Sequence, residues 1–507
     1  MKQVLLLADQ PFQLNLMSAL AKNLREKHVS VSIFLTDLFT FVYGPHLIEN
    51  LVQDLGLDVI TLESEFRSWQ IRGEPDSSQT REARIRLLSF ETLSSRGRNL
   101  TTLRLTDPYT NGFEFEDWYL PISKAWLDVA HADIISRCQR TFQDLQPDLI
   151  VSIDNCQLST NIFHALAQDT CTFITFQNSR IGARWLPRFD FAIGDYRVSQ
   201  QMMPKSISRE LLPGEFDIFK QQVKQLHNGL YRSPAVEYGT RIRRRNLSSL
   251  EYFFKVVKEV KDILIHTPRS ILLGPRSRNF KVRRFDQNFF RINIFEAKRR
   301  LANLLPDRSI NPKQFRSSGY FFWTLHYRPE GSGLVLGLGR DEFGELINVA
   351  NLLASQGELL VIKENPLMFG TRRRKDMKSL SELSNVIFAP RFSNPIDWIV
   401  NSKGVIGISG TSLLEAAILG VPAYALGFPE FLPSVWSQDE ISIEDFLINC
   451  INRQIPSKET SVDDYLKYVL KNSSDQDVLL SPITGATELK DSIERMSEII
   501  QKTLIEC

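Results

Sequence analysis

The segment Val405-Ile406-Gly407-Ile408-Ser409-Gly410-Thr411-Ser412-Leu413-Leu414-Glu415-Ala416 passes from an apolar run through a Ser/Gly/Thr turn straight into a helical pattern. A helix that starts this way offers unpaired N–H groups, the positive end of its dipole and three hydroxyls. Together these suit an anion such as a phosphate. Gly410 lets the backbone approach that anion closely. Glu415 follows one turn into the helix, where a carboxylate can accept hydrogen bonds from ribose hydroxyls. Ordinary helix capping accounts for the Ser and Thr residues. It accounts neither for Gly410 nor for the E-A-x-x-x-G-V-P that runs from Glu415 to Pro422.

Two further clusters follow apolar runs in the same way. Thr324-Leu325-His326-Tyr327-Arg328-Pro329-Glu330 gathers His326, Arg328 and Glu330 in one loop after a strand, and loops at that edge carry function. A cationic Arg and a titratable His suit a phosphate-bearing ligand; solvated surface charge explains any one of the three taken singly. In Val361-Ile362-Lys363-Glu364-Asn365-Pro366, Lys363 can reach a phosphate as a point charge, although this cluster alone is a weak signal.

The elements that would position these residues alternate strand and helix. Strands are predicted at Val4–Ala8, Val31–Leu35, Asp58–Leu62, Asp148–Asp154 and Thr172–Phe176, with helices at Leu14–Lys27 and Leu158–Gln168. Leu14, Met17, Leu20, Ala21 and Leu24 share one face of the first helix. The stretch Glu63–Phe115 is polar and rich in Arg and Ser, and is predicted as a loop-bearing insertion. Residues 205–315 are helical and basic in pattern. A second series starts at Tyr320, with strands at Tyr320–Leu325, Glu358–Lys363, Val386–Ala389, Val405–Ile408 and Ala423–Leu426. Helices lie between them at Glu342–Gln356, Pro395–Asn401 and Ser412–Leu419, and a last one at Ala486–Leu504 stands apart in sequence. Such alternation implies parallel βαβ units in an α/β fold, with ligands held at the carboxyl ends of the strands. The expected domains are 1–315, 316–480 and a C-terminal helix in 481–507.

Bulk properties narrow the class. The 507 residues are 43% hydrophobic and 24% charged, as in ordinary globular proteins, and exceed one compact core. No apolar run nears the ~20 residues that cross a bilayer. The apolar start is too short for a secretory signal, so a cytoplasmic location is expected. The five cysteines are scattered without a C-x-x-C pair, and the histidines lack metal-site spacing, so neither a disulfide framework nor a protein-built metal site is expected. Residues 241–300 hold 17 Lys/Arg against five Asp/Glu, which leaves the rest of the chain ten units negative. That segregation fits either a solvated helical surface or contact with a polyanion such as the inner membrane face. No aromatic-interleaved reading motif accompanies it, so nucleic acid is not an expected partner.

Order and spacing over Tyr320 to about Leu432 resemble the capsule polysaccharide biosynthesis family, which includes bacterial β-Kdo transferases of GT-B fold. The family's L-H-x-x-P-E loop is matched by Leu325, His326, Pro329 and Glu330. Its K-E-H-P and G-x-R are matched by Lys363, Glu364, Pro366, Gly370 and Arg372, and its N-V strand by Asn385-Val386. Its G-T-x-x-x-E-A-x-x-x-G-x-P is matched by Gly410, Thr411, Glu415, Ala416, Gly420 and Pro422. The family's H-P histidine, implied to contact the phosphate of a CMP-sugar, is Asn365 here; Asn donates a hydrogen bond but brings no charge. Before residue 315 the resemblance is looser and rests on Gln177-Asn178-Ser179-Arg180-Ile181 and Arg184.

The resemblance implies two Rossmann-like doubly wound domains facing across a cleft. It further implies glycosyl transfer from a nucleotide sugar, with a CMP-linked acidic sugar such as Kdo as leading donor and a surface or capsular glycan as acceptor. The expected nucleotide contacts are His326, Arg328, Glu330, Lys363, Asn365, Ser409, Gly410, Thr411, Ser412 and Glu415. In the first domain Asp154, which follows a buried strand, is the expected base or nucleophile, with Asp9 its rival; either Asp can instead cap a helix. Gln177, Asn178, Ser179 and Arg180 are expected acceptor or sugar contacts. Neither a cofactor nor a metal is needed, since side chains supply the positive charge. A nucleotide-sugar epimerase and a non-catalytic assembly or export factor of the same fold are the rival expectations.

Overall fold

The computed structural model describes residues 2–8, 11–35, 58–61, 75–93, 124–153, 158–168, 170–181, 184–189, 195–225, 254, 257, 261, 319–326, 337, 340–365, 368, 372, 374–390, 393–474 and 486–506. The chain divides into two compact units. One comprises Met1–Asp107, Ile122–Lys220 and Asp464–Cys507, the other Pro108–Pro121 and Gln221–Asp463.

The first unit is built on six strands: β1 (Gln3–Ala8), β2 (Ser30–Leu35), β3 (Asp58–Thr61), β4 (Leu149–Ile153), β5 (Thr172–Asn178) and β6 (Trp185–Arg188). Their order is β3-β2-β1-β4-β5-β6, parallel except for β6. β4 is buried at all five positions, as its continuous apolar run requires of a strand covered on both faces. Its helices are α1 (Pro11–Glu26), α2 (Ser77–Leu93), α3 (Lys124–Leu145), α4 (Leu158–Ala167) and α5 (Tyr196–Met202), while α6 (Glu215–Gln225) crosses the division between the units. Met17, Leu20, Ala21 and Leu24 of α1 are fully buried, the stripe expected from their spacing. The stretch predicted as a loop-bearing insertion contains α2, whose polar, Arg-rich sequence carries little apolar periodicity.

The second unit repeats the plan. Its strands are β7 (Phe321–Thr324), β8 (Leu360–Lys363), β9 (Val386–Phe388), β10 (Gly404–Gly407), β11 (Ala423–Ala425) and β12 (Trp436–Ser437), ordered β12-β11-β10-β7-β8-β9 and all parallel. Between them run α7 (Glu342–Ser355), α8 (Arg374–Ser381), α9 (Pro395–Ile399), α10 (Thr411–Ile418) and α11 (Ile443–Ile451). α12 (Glu459–Asn472) leads back to the first unit, and α13 (Ala486–Glu506) packs there on α1, where Lys27 Nζ donates to Ser497 Oγ at 3.0 Å.

Both units are therefore Rossmann-like α/β sheets, as the alternation predicted. In the second, chain direction across the sheet reverses between β7 and β10, the place where open sheets of this kind hold ligands. The loops that follow β7, β8 and β10 carry the three sequence clusters. Among the described residues no helix is long and apolar enough to cross a membrane. Nearly all of the basic stretch 241–300 lies outside the described residues.

Candidate functional site

α10 starts without a side-chain cap. Its N-cap is Gly410, in extended backbone at φ −68° and ψ 156°, and no side chain bonds the first-turn amides. Ser412, the second residue of the helix, pairs its hydroxyl with Thr324 Oγ1 at 2.6 Å, tying the end of β7 to the helix. The amide of Leu413 reaches back to the Gly410 carbonyl at 3.1 Å. Among the described residues, no hydrogen bond is made by the amides of Thr411 and Ser412. They point from the positive end of the dipole with no acidic residue in the first turn. Side-chain capping does not account for this turn.

His326, two residues beyond β7, lies against it. An added Cβ on Gly410 would sit 3.4 Å from His326 Nε2 and 3.6 Å from Ser412 Oγ, so the absent side chain leaves the imidazole facing the turn. The residue is only 6% exposed. One oxygen of Glu342, Oε1, accepts from the His326 backbone amide at 3.0 Å and pairs with Nδ1 at 2.8 Å. A carboxylate oxygen accepts, so Nδ1 carries the proton and Nε2 is turned toward α10. Nε2 is buried and has no hydrogen-bond partner among the described residues.

Glu342 is itself held. It is the first residue of α7, after the N-cap Asp341, whose carboxylate accepts from the Phe343 amide at 3.2 Å. Arg372 Nη1 stands 3.8 Å from Glu342 Oε2. The same guanidinium donates to both oxygens of Glu364, with Nη2 to Oε1 at 3.0 Å and Nε to Oε2 at 3.2 Å, and Nη2 also donates to the His326 carbonyl. His326, Glu342, Arg372 and Glu364 thus form a closed network, every member less than a tenth exposed. Buried charges are tolerable only when partnered in this way.

Glu415 lies one turn into α10 and is 7% exposed. Burial alone pushes its carboxyl up to about 7. Lys363 ends β8, in register with Thr324, and is 3% exposed. Asn365 is half-buried, and its amide donates to Glu364 Oε1 at 2.8 Å. Ser409, at the end of the turn after β10, is fully buried. The structure thus brings His326, Lys363, Ser409, Gly410, Thr411, Ser412 and Glu415 to the carboxyl ends of three adjacent strands. Arg328 and Glu330 lie outside the described residues.

In the first unit Asp9 and Asp154 also lie outside the described residues; in sequence they follow β1 and β4, which are neighbours in the sheet. Gln177 and Asn178 end β5, paired with Leu186 and Trp185 of β6. Ser179 is buried and spends its hydroxyl inside the turn, donating to the Ile181 carbonyl and accepting from its amide at 3.1 and 3.3 Å. Its own carbonyl accepts from Tyr465 at 3.2 Å. Arg180 holds a left-handed φ of 59° at the tip. Among the described residues no group of three or more His, Cys, Asp or Glu could hold a metal ion.

Glu342 is the member that sequence reasoning missed. A carboxylate in the first turn of a helix reads as a solvated partner of the dipole, and nothing in its spacing ties it to His326, sixteen residues earlier.

No family model and no curated protein sequence matches the chain. Among solved structures it is similar to the UDP-GlcNAc 2-epimerase of Neisseria meningitidis bound to UDP-GlcNAc, at 11% identity and a TM-score of 0.27 over 100% of both chains. It is also similar to the glycosyltransferase VinC in complex with dTDP, at 11% identity and a TM-score of 0.26 over 99% of both. A glycosyltransferase from Rickettsia africae gives 9% identity and a TM-score of 0.26 over 99% of both.

Proposed function

We propose that the protein is a GT-B-type glycosyltransferase that draws a sugar from a nucleotide donor and adds it to a surface or capsular polysaccharide. The single observation that carries this reading is the uncapped start of α10, with the buried Nε2 of His326 turned toward it. Two amides, a helix dipole and an imidazole around one point make a site for a phosphate oxygen. It lies where an open parallel sheet holds nucleotides. Glu415, one turn deeper, accepts from the ribose hydroxyls.

Charge that develops on the leaving phosphate is stabilised by these groups, assisted by Arg328 and Lys363. His326 and Arg328 take over the contact that Asn365, being neutral, does not supply. In the first unit Asp154, or its rival Asp9, takes the acceptor proton. Gln177, Asn178, Ser179 and Arg180 contact the acceptor or the sugar. A CMP-linked acidic sugar such as Kdo is the favoured donor on the motif residues from Leu325 to Pro422. Stretch 241–300 provides peripheral contact with the inner membrane face.

Titration of the purified protein with CMP, UDP, GDP and CDP tests the donor site. Preference for CMP supports the Kdo-type donor, preference for UDP redirects the sugar, and failure of all four to bind overturns the reading. Incubation with the preferred nucleotide sugar alone then separates transfer from epimerisation: an epimerase converts the donor without an acceptor, a transferase does not.

A further inference from the structure

Among the described residues, four that are not glycine hold a left-handed φ: His28, Gln146, Arg453 and Arg180. The first three lie just after α1, α3 and α11, where a left-handed residue is the ordinary way to end a helix. Arg180 is different. It follows β5, in the turn that leads into β6, with φ at 59°, and is half-buried. A left-handed arginine costs backbone energy that a glycine does not, and such a cost persists only where the surroundings fix it. Here they do. The peptide before Arg180 carries the Ser179 carbonyl, which accepts from the Tyr465 hydroxyl at 3.2 Å. The peptide after it carries the Ile181 amide, which donates to Ser179 Oγ at 3.3 Å. The Ser179 amide closes the turn on the Arg184 carbonyl at 2.9 Å. Ser179 and Tyr465 are both fully buried. At the far end of the turn, Arg184 spends its guanidinium on the fold, donating to Ser473 Oγ at 3.2 Å and lying 5.0 Å from the Phe219 ring centre. Arg180 is thereby held beyond the carboxyl end of β5, the neighbour of β4, on the edge where open parallel sheets receive ligands.

We propose that Arg180 selects an acidic sugar by pairing with the carboxylate of the sugar that the nucleotide carries, and that Tyr465 is the positioning residue that holds Arg180 in place. The proposal rests on the nucleotide-sugar reading above and gives its Arg180 contact a chemical purpose. In that reading the phosphate is served at α10, so a cation at the sheet edge of the first unit is left for the sugar. The simplest fixed negative charge on a sugar is a carboxylate, and a planar guanidinium meets it with two parallel hydrogen bonds. That fit discriminates best when the guanidinium is held in place beforehand. Pinning of both peptides that flank Arg180 supplies such a hold at the backbone. A glycine would form the same turn at lower cost, so the arginine is kept for its side chain.

Calorimetric titration of the full chain with CMP, CMP-Kdo, UDP-glucose and UDP-glucuronate reads the contribution of the carboxylate; the two UDP-sugars differ in that group alone. The wild type should bind the acidic member of at least one pair about tenfold or more tightly than its carboxylate-free counterpart. Arg180→Gly should erase that preference and leave affinity for the neutral member unchanged. Its denaturation midpoint should stay level or rise, because glycine suits the left-handed position. Arg180→Lys keeps the charge without the fork and should retain part of the preference. Tyr465→Phe keeps the ring but releases the Ser179 carbonyl. It should lower the preference by about fivefold with neutral affinity unchanged, a change in ratio that a general loss of stability does not produce. Equal binding of acidic and neutral ligands by the wild type overturns the proposal and leaves the nucleotide site standing. An undiminished preference in Arg180→Gly overturns the assignment to Arg180, and an undiminished preference in Tyr465→Phe overturns the positioning role. Failure of the wild type to bind any of the four sinks the underlying nucleotide-site reading instead.

Discussion

Thr324 Oγ1 and Ser412 Oγ stand 2.6 Å apart and join the last residue of β7 to the first turn of α10. The pair clamps the start of the helix to the strand that leads to His326.

A double-mutant cycle between Thr324→Val and Ser412→Ala should therefore show coupling of about 1 kcal/mol in chemical denaturation of the full chain, the scale of a partly buried hydroxyl pair. Additive effects of the two substitutions would show that the clamp contributes nothing.

Gly410→Ala separates binding from folding. Backbone at φ −68° and ψ 156° suits any L-residue, so alanine brings no strain, and as an N-cap it costs within about 1 kcal/mol. Its methyl, however, would stand 3.4 Å from His326 Nε2 and fill the space between imidazole and amides. The expected outcome is a melting temperature close to that of the wild type, with nucleotide affinity reduced by about tenfold or more. Retained affinity would place the ligand elsewhere.

Glu415 should give the protein a pH signature. Burial raises its carboxyl from 4.5 to about 7, so the folded chain holds a proton that the unfolded chain releases. Stability contributed by this group is then full below the lower value, declines as pH rises between the two, and stays low above the upper one. The span is worth roughly 3 kcal/mol. Glu415→Gln removes it: at about pH 8 the variant should be the more stable protein, with the difference closing toward about pH 5. Denaturant midpoints across that range measure the effect. If the proposed ribose contact is made, the same variant should also bind nucleotide more weakly.

Much of the fold was legible because its central strands are short apolar runs buried on both faces, and because a run such as Leu149–Ile153 has few alternatives. What escaped notice did so for local reasons. β6 contains Pro187, which argues against a strand, yet it forms the antiparallel edge of the sheet, where a missing donor is tolerated. β12 is two residues long, too short for any pattern. In α2 the charged sequence hides its few buried positions, Ala83 and Leu87 among them. At the site, the motif residues advertised themselves by type: His326 and Gly410 sit just after a strand, and Glu415 one turn into the helix that follows. The network behind them did not. Arg372 and Glu364 were visible only as members of a resembling motif without a task. Glu342 acquires its role from a tertiary approach between the loop after β7 and the start of α7, which no local window contains.

Arg372 is the member whose loss should be felt most. The guanidinium is buried, 3.0 Å from Glu364, 3.8 Å from Glu342 and beneath the carbonyl of His326; it also lies 5.8 Å from the Phe343 ring centre. Arg372→Met keeps the volume but leaves two carboxylates buried near each other without their shared cation. Breaking a buried pair from one side costs about 4 kcal/mol, and a stability loss of that order is expected. The charge argument makes a sharper demand. Glu364→Gln in the same chain removes one of the stranded charges, so Arg372→Met/Glu364→Gln should be more stable than Arg372→Met alone. If the second substitution instead adds to the damage, the two residues act by packing, and the electrostatic account of the network fails.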